Sequence, residues 1–94
     1  MIEIKNDTWF FSGNLNYQKV PQFLNEMENC IWTKPVKLDF RDVEEIDTSL
    51  LSVIFEFQRQ AKKHDTTIVL LNIPENLRVL AKLYSVENYL FQTN

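Results

Sequence analysis

A run of five residues, Thr67-Ile68-Val69-Leu70-Leu71, does most to limit what this chain can fold into. It is short, uncharged and rich in β-branched side chains, the pattern of a central strand buried on both faces. Such a strand needs other strands beside it and helices over it, and the chain supplies both. Val36-Lys37-Leu38-Asp39-Phe40 alternates strictly, which places Val36, Leu38 and Phe40 on one face of a second strand. Between the two strands, Leu51, Ile54, Phe55, Gln58 and Ala61 fall on one stripe of a helix. That helix starts around Asp47-Thr48-Ser49 and ends near His64. A strand, a helix and a strand in this order predict parallel neighbours joined by a right-handed crossover.

The flanking segments complete the pattern. Ile2 and Ile4 alternate with polar residues, Trp9-Phe10-Phe11 is aromatic, and Lys5-Asn6-Asp7-Thr8 between them is turn chemistry. A hairpin follows, with strands near 2–5 and 8–12. Gly13 ends the second strand, and Gly13-Asn14-Leu15-Asn16 forms a loop with one apolar anchor. Val20, Phe23, Leu24, Met27 and Ile31 recur at helical spacing from about Tyr17 to Ile31. Pro21 suits the first turn of that helix and Thr33-Lys34-Pro35 stops it. Arg41-Asp42-Val43-Glu44-Glu45-Ile46 reads as a polar connection that tucks Val43 and Ile46 inward. Asn72-Ile73-Pro74 breaks the last strand. A third helix then covers about Glu75 to Tyr84, with Leu77, Leu80, Ala81 and Tyr84 on one side, and Val86–Phe91 docks as one helical turn. The expected architecture is α/β at the α+β boundary, one domain over residues 1–94. It has a four-stranded mixed sheet with helices packed mainly on one face, in β-β-α-β-α-β-α order. Val36–Phe40 and Thr67–Leu71 are its two central strands.

Scarce residues exclude several functions. Gly13 is the one glycine in 94 residues, so no glycine-rich phosphate loop can form. Cys30 is the one cysteine, which forbids an intramolecular disulfide and suits a reducing compartment. With a single His besides, the chain lacks a zinc ligand set, and neither metal nor cofactor is expected. His64 lies in Lys62-Lys63-His64-Asp65, a helix end with a solvated imidazole, so no nucleophile has a base within reach. The acid pairs Glu44-Glu45 and Asp39/Asp42 read as a solvated loop rather than a catalytic pair. A net charge of −3 lacks the basic footprint that nucleic acid requires. The start of the chain has no signal-like apolar stretch. The longest mostly apolar run, Leu50–Phe57, carries Ser52 and Glu56 and falls far short of the roughly 20 residues that span a bilayer. The expectation is a soluble, cytoplasmic, non-enzymatic protein without membrane insertion.

Function then rests on the start of the second helix. Asp47-Thr48-Ser49 offers three capping residues where one suffices, leaving a hydroxyl at a positive helix end for a phosphate or a partner's acceptor. Leu50, Val53 and Phe57 widen the apolar stripe of the same helix beyond the usual core face, and at least one of them is expected to be exposed for a partner. The expected partner-binding residues are Asp47, Thr48, Ser49, Leu50, Val53 and Phe57.

Val36-Lys37-Leu38-Asp39-Phe40 followed by Val43, Ile46 and Asp47-Thr48-Ser49-Leu50-Leu51 resembles the signature of the STAS family, the sulfate transporter and anti-sigma factor antagonist domains. Gly13-Asn14-Leu15-Asn16 is similar to the family's earlier Gly-Glu-Leu-Asp turn. Leu70-Leu71-Asn72-Ile73-Pro74 with Leu80 is similar to its later strand, loop and helix. Asp47-Thr48, Ala61-Lys62-Lys63 and Leu80-Ala81-Lys82-Leu83-Tyr84 further resemble the small STAS subunit of the Mla phospholipid-transport ABC complex of Gram-negative bacteria. That resemblance implies a cytoplasmic accessory subunit docking on an ABC transporter ATPase that maintains outer-membrane lipid asymmetry, with Thr48 at the contact. The anti-sigma factor antagonists imply an alternative, in which a partner kinase phosphorylates Ser49 or its neighbour Thr48. The family carries Gly after the hydroxyl pair. Leu50 stands there in this chain and is expected to narrow the approach to the hydroxyls.

Overall fold

The computed structural model describes residues 2–91. Strands β1 (Ile2–Lys5) and β2 (Thr8–Leu15) form an antiparallel hairpin with Ile2 opposite Phe11 and Lys5 opposite Thr8. Asn6 takes the left-handed backbone (φ 55°) that so short a connection requires. A 3-10 turn at Tyr17–Lys19 leads into helix α1 (Val20–Glu28), with Pro21 in its first turn. Strand β3 (Val36–Ile46), helix α2 (Ser49–Lys63), strand β4 (Ile68–Leu71), helix α3 (Glu75–Leu83) and the short helix α4 (Glu87–Leu90) follow. The four strands make one mixed sheet in the order β1-β2-β3-β4, in which β3 runs parallel to both of its neighbours.

Alternation decides which face is covered. Trp9 and Phe11 of β2 and Val36, Leu38 and Phe40 of β3 are buried beneath the helices. Phe11 stacks on Phe40 at 5.2 Å and meets Phe23 of α1 edge-on, while Trp9 meets Phe57 of α2 edge-on at 4.9 Å. Each fully buried side chain of this size contributes roughly 1.5–3 kcal/mol, so this aromatic group forms much of the core of a small chain.

Four expectations are corrected. Gly13–Leu15 is not a loop and Arg41–Ile46 is not a connection. The two segments pair as the outer halves of β2 and β3, with Ser12 opposite Asp42 and Leu15 opposite Ile46. Their side chains are mostly polar because backbone pairing, not burial, holds them there; Val43 and Ile46 are half-buried. The first helix ends at Glu28, short of Ile31, which is 84% exposed. The Asn29 side-chain amide donates to the Asn25 carbonyl, a local bond that competes with helix continuation. Lastly, β4 is an edge strand, half-buried along its whole length, and the central pair is β2 and β3.

Candidate functional site

β3 delivers Asp47-Thr48-Ser49 to the start of α2. The Asp47 carboxylate is the cap there. Its Oδ1 accepts the Ser49 N–H at 2.9 Å and also the Ser49 hydroxyl. Its Oδ2 accepts the Tyr17 N–H at 3.0 Å, which ties this loop to the one that follows β2. Burial pushes the Asp47 carboxyl up, but the bonds from the Ser49 hydroxyl and from the two backbone N–H groups outweigh it and hold the group below its ordinary value. Thr48 is exposed, already helical (φ −63°, ψ −21°), and its side chain makes no capping bond. The three residues are therefore not equivalent: one caps, one hydroxyl is held by the cap, and one hydroxyl faces solvent.

The apolar half of the expected site is corrected. Leu50 is 2% exposed, Val53 3% and Phe57 0%, so none of them is available at the surface of the isolated chain. The stripe is wide because α2 is packed on several sides at once, against α1, α4, β3 and β4. This also removes the expected obstruction, since Leu50 turns into the core and does not screen the hydroxyls of Thr48 and Ser49. Tyr17 was not anticipated here. Its N–H is bonded to Asp47 and its side chain is exposed, so an exposed aromatic residue is tied through its backbone to the turn that carries Thr48 and Ser49. The only hint in the sequence is an aromatic directly after the Asn14-Leu15-Asn16 turn.

Elsewhere, Asp39 is not solvated. It is 3% exposed, and its Oδ1 accepts the Arg41 N–H and the Asn72 side-chain amide, each at 2.9 Å. It thus fastens β3 to the loop after β4, while Asp42, Glu44 and Glu45 are exposed. His64 ends α2 exposed and stacks on Trp32 at 4.9 Å. Burial raises the Cys30 thiol above its ordinary value, against a smaller opposing bond from Trp9, which disfavours the reactive thiolate. Among the described residues, no cluster of His, Cys, Asp and Glu could hold a metal, and no helix is long and apolar enough to cross a membrane.

A mixed four-stranded sheet under helices, with a hydroxyl-bearing turn opening the helix after its third strand, defines the class. The family model for the STAS domain matches residues 2–93, and the chain belongs to that family. Among solved structures, the anti-sigma factor antagonist SpoIIAA in its unphosphorylated form shares the fold with a TM-score of 0.77. The identity is 14%, over 100% of this chain and 87% of that one. No curated protein matches the chain at a significant level.

Proposed function

We propose that this STAS domain is a non-enzymatic, cytoplasmic protein-binding module that meets its partner through Asp47, Thr48 and Ser49, with a hydroxyl of that turn acting as a phosphate-accepting switch. The observation that carries it is the Ser49 hydroxyl held on the Asp47 carboxylate, with Leu50 turned away into the core. A carboxylate bonded to a hydroxyl is placed to take its proton as the oxygen attacks the terminal phosphoryl group of a nucleoside triphosphate brought by the kinase partner, whose bond to that phosphoryl breaks as the nucleoside diphosphate leaves. The product would set a phosphate beside Asp47 and disrupt a surface that carries the exposed Thr48 and Tyr17. The likeness to an anti-sigma factor antagonist, a protein named by its phosphorylation state, supports a kinase-type partner.

A second reading, docking on the ATPase of a phospholipid-transport ABC complex at the inner-membrane face, uses the same turn. Its support is the exposed, uncapped Thr48 at the position that the Mla resemblance assigns to the contact.

The two separate by experiment. On the switch reading, Ser49→Glu releases the kinase partner, Ser49→Ala binds it constitutively, and mass spectrometry of protein from its native cells finds phosphate on Ser49. On the docking reading, Ser49→Ala is silent, no phosphate is found, and Thr48→Arg abolishes the ATPase complex. Pull-down with circular dichroism as the folding control measures both. Thr48→Arg and Ser49→Glu binding either partner unchanged would remove this turn from the interface.

A further inference from the structure

A groove of about 940 Å³ runs between the C-terminal half of α2, strand β4 and the α3–α4 end of the chain. It touches Thr66, Thr67, Ile68, Val69 and Leu70 in succession. Side chains of a strand alternate between faces, so a hollow that meets Ile68, Val69 and Leu70 of β4 in a row, after the two residues that lead into it, follows the strand's edge. That edge is open: among the described residues β4 pairs with β3 alone. The Val36 N–H donates to the Thr67 carbonyl at 3.0 Å, and parallel pairing turns alternate residues the same way. Thr67, Val69 and Leu71 thus address β3, and the N–H and C=O of Ile68 and Leu70 point into the groove.

The walls are apolar, with Phe55 on one side and Phe91 on the other, and the charged residues lining them are Lys62 and Arg78, both cations. Neither has an ion-pair partner among the described residues; the Arg78 guanidinium lies 5.2 Å from the centre of the Phe91 ring. A positive rim on a chain of net charge −3 is a local feature.

We propose that this groove receives an extended apolar segment of a partner protein, flanked by Asp or Glu, which adds to the free edge of β4 as a fifth strand. Charge selects the occupant's ends, since only acidic residues pair with Lys62 and Arg78. The backbone selects its form, since an extended chain supplies the alternating donors and acceptors that Ile68 and Leu70 lack and an apolar small molecule does not. Length fits as well: the stretch Thr66–Leu70, whose last three residues belong to β4, spans about 17 Å at roughly 3.3 Å for each extended residue, the reach of a five- or six-residue segment. The groove uses α2 from Phe55 onward and not its start, so the inference stands apart from the role of Thr48 and Ser49.

The test is a titration of the ¹⁵N-labelled full chain with a synthetic hexapeptide of alternating valine and isoleucine between a terminal aspartate and glutamate. Amide shifts are expected at Ile68 and Leu70 and around Phe55 and Tyr89, while the start of α2 stays still. Lys62→Glu and Arg78→Glu, both exposed and compatible with the fold, are expected to weaken binding about tenfold each, as is a lysine-ended peptide. The same hexapeptide N-methylated at alternate residues is expected not to bind. Absence of shifts at millimolar peptide, or equal binding of the N-methylated form, overturns strand addition. Displacement of the peptide by oleate, with oleate the tighter ligand, reassigns the groove to a lipid. A second copy of the chain filling the groove, seen as dimer formation blocked by Lys62→Glu, overturns the partner assignment.

Discussion

β3 and β4 are adjacent and parallel, and β4 is the more apolar in their paired stretch, yet it is β3 that the protein encloses. The inner half of β3, Val36–Phe40, has partners on both edges and is so enclosed that even Asp39 is buried. β4 has the less interrupted apolar run and is half-buried throughout, with one edge open. A side-chain pattern reports which faces of a strand meet protein. It is silent about edges, because edge pairing belongs to backbone groups that every residue carries. The outer half of β3 makes the converse point. Arg41–Ile46 is polar and still a strand, because β2 continues beside it after β4 has ended opposite Asp39.

The largest expected effect tests that contrast directly. Leu38→Ala, at a site of 0% exposure in β3, should cost about 2–5 kcal/mol in urea unfolding. Leu70→Ala in β4 should cost about 1–2 kcal/mol, in keeping with half the burial. Phe57→Ala should fall with Leu38, at about 3–5 kcal/mol, because its stripe of α2 is core. Equal costs at Leu38 and Leu70 would break the distinction between a central and an edge strand.

What was legible follows the same line. The order of elements, the mixed sheet and the inward set Val36, Leu38 and Phe40 depend on side-chain periodicity, and periodicity is written in the sequence; Trp9-Phe10-Phe11, three aromatics in a row, did not show which of them turn inward. The exchange of centre and edge depends on backbone pairing and is not. The apolar face of α2 was legible as wide, but width alone does not tell a helix packed on several sides from one offering a surface. Resolving it needs α1 and α4 in place around Leu50, Val53 and Phe57. At the site, the turn itself was visible, whereas the division of labour within it was not. Asp47 becomes the cap because the Tyr17 N–H arrives from a loop 30 residues away. Asp39 was hidden for a similar reason, since its partner Asn72 lies 33 residues further on.

A smaller effect sharpens the comparison at the outer half of β3. Gly13 pairs with Val43 next to a register shift and has φ +78°. A Cβ added there would meet nothing within 4 Å, so Gly13→Ala should suffer only backbone strain, about 1–2 kcal/mol. Gly13→Asn should cost less, since Asn tolerates the left-handed region. Hydrogen exchange should quicken in Arg41–Ile46 with Ile68–Leu71 unchanged. A uniform response would show that the two strands open as one unit.

The smallest effect concerns where β3 hands over to α2. Asp47 is depressed in the folded chain, so its charged form favours folding. The stability it contributes is fully present above the unfolded-state value, near 3.9, and is lost as pH falls through the lower folded value. Asp47→Asn keeps an acceptor but gives up the charge. It should cost about 0.5–1 kcal/mol at pH 7 and progressively less below pH 4, where wild type and variant converge. Ser49→Ala removes the hydroxyl that lowers the carboxyl most and should raise the Asp47 value, as followed by carboxyl carbon NMR. The two variants separate cap from switch. Asp47→Asn should loosen the Tyr17 loop as well as the start of α2, whereas Ser49→Ala leaves the bonds from both backbone N–H groups in place. A stability difference between wild type and Asp47→Asn that stays constant from pH 7 to pH 2 would mean that the carboxylate acts there as an acceptor alone, its charge contributing nothing to the junction of β3 and α2.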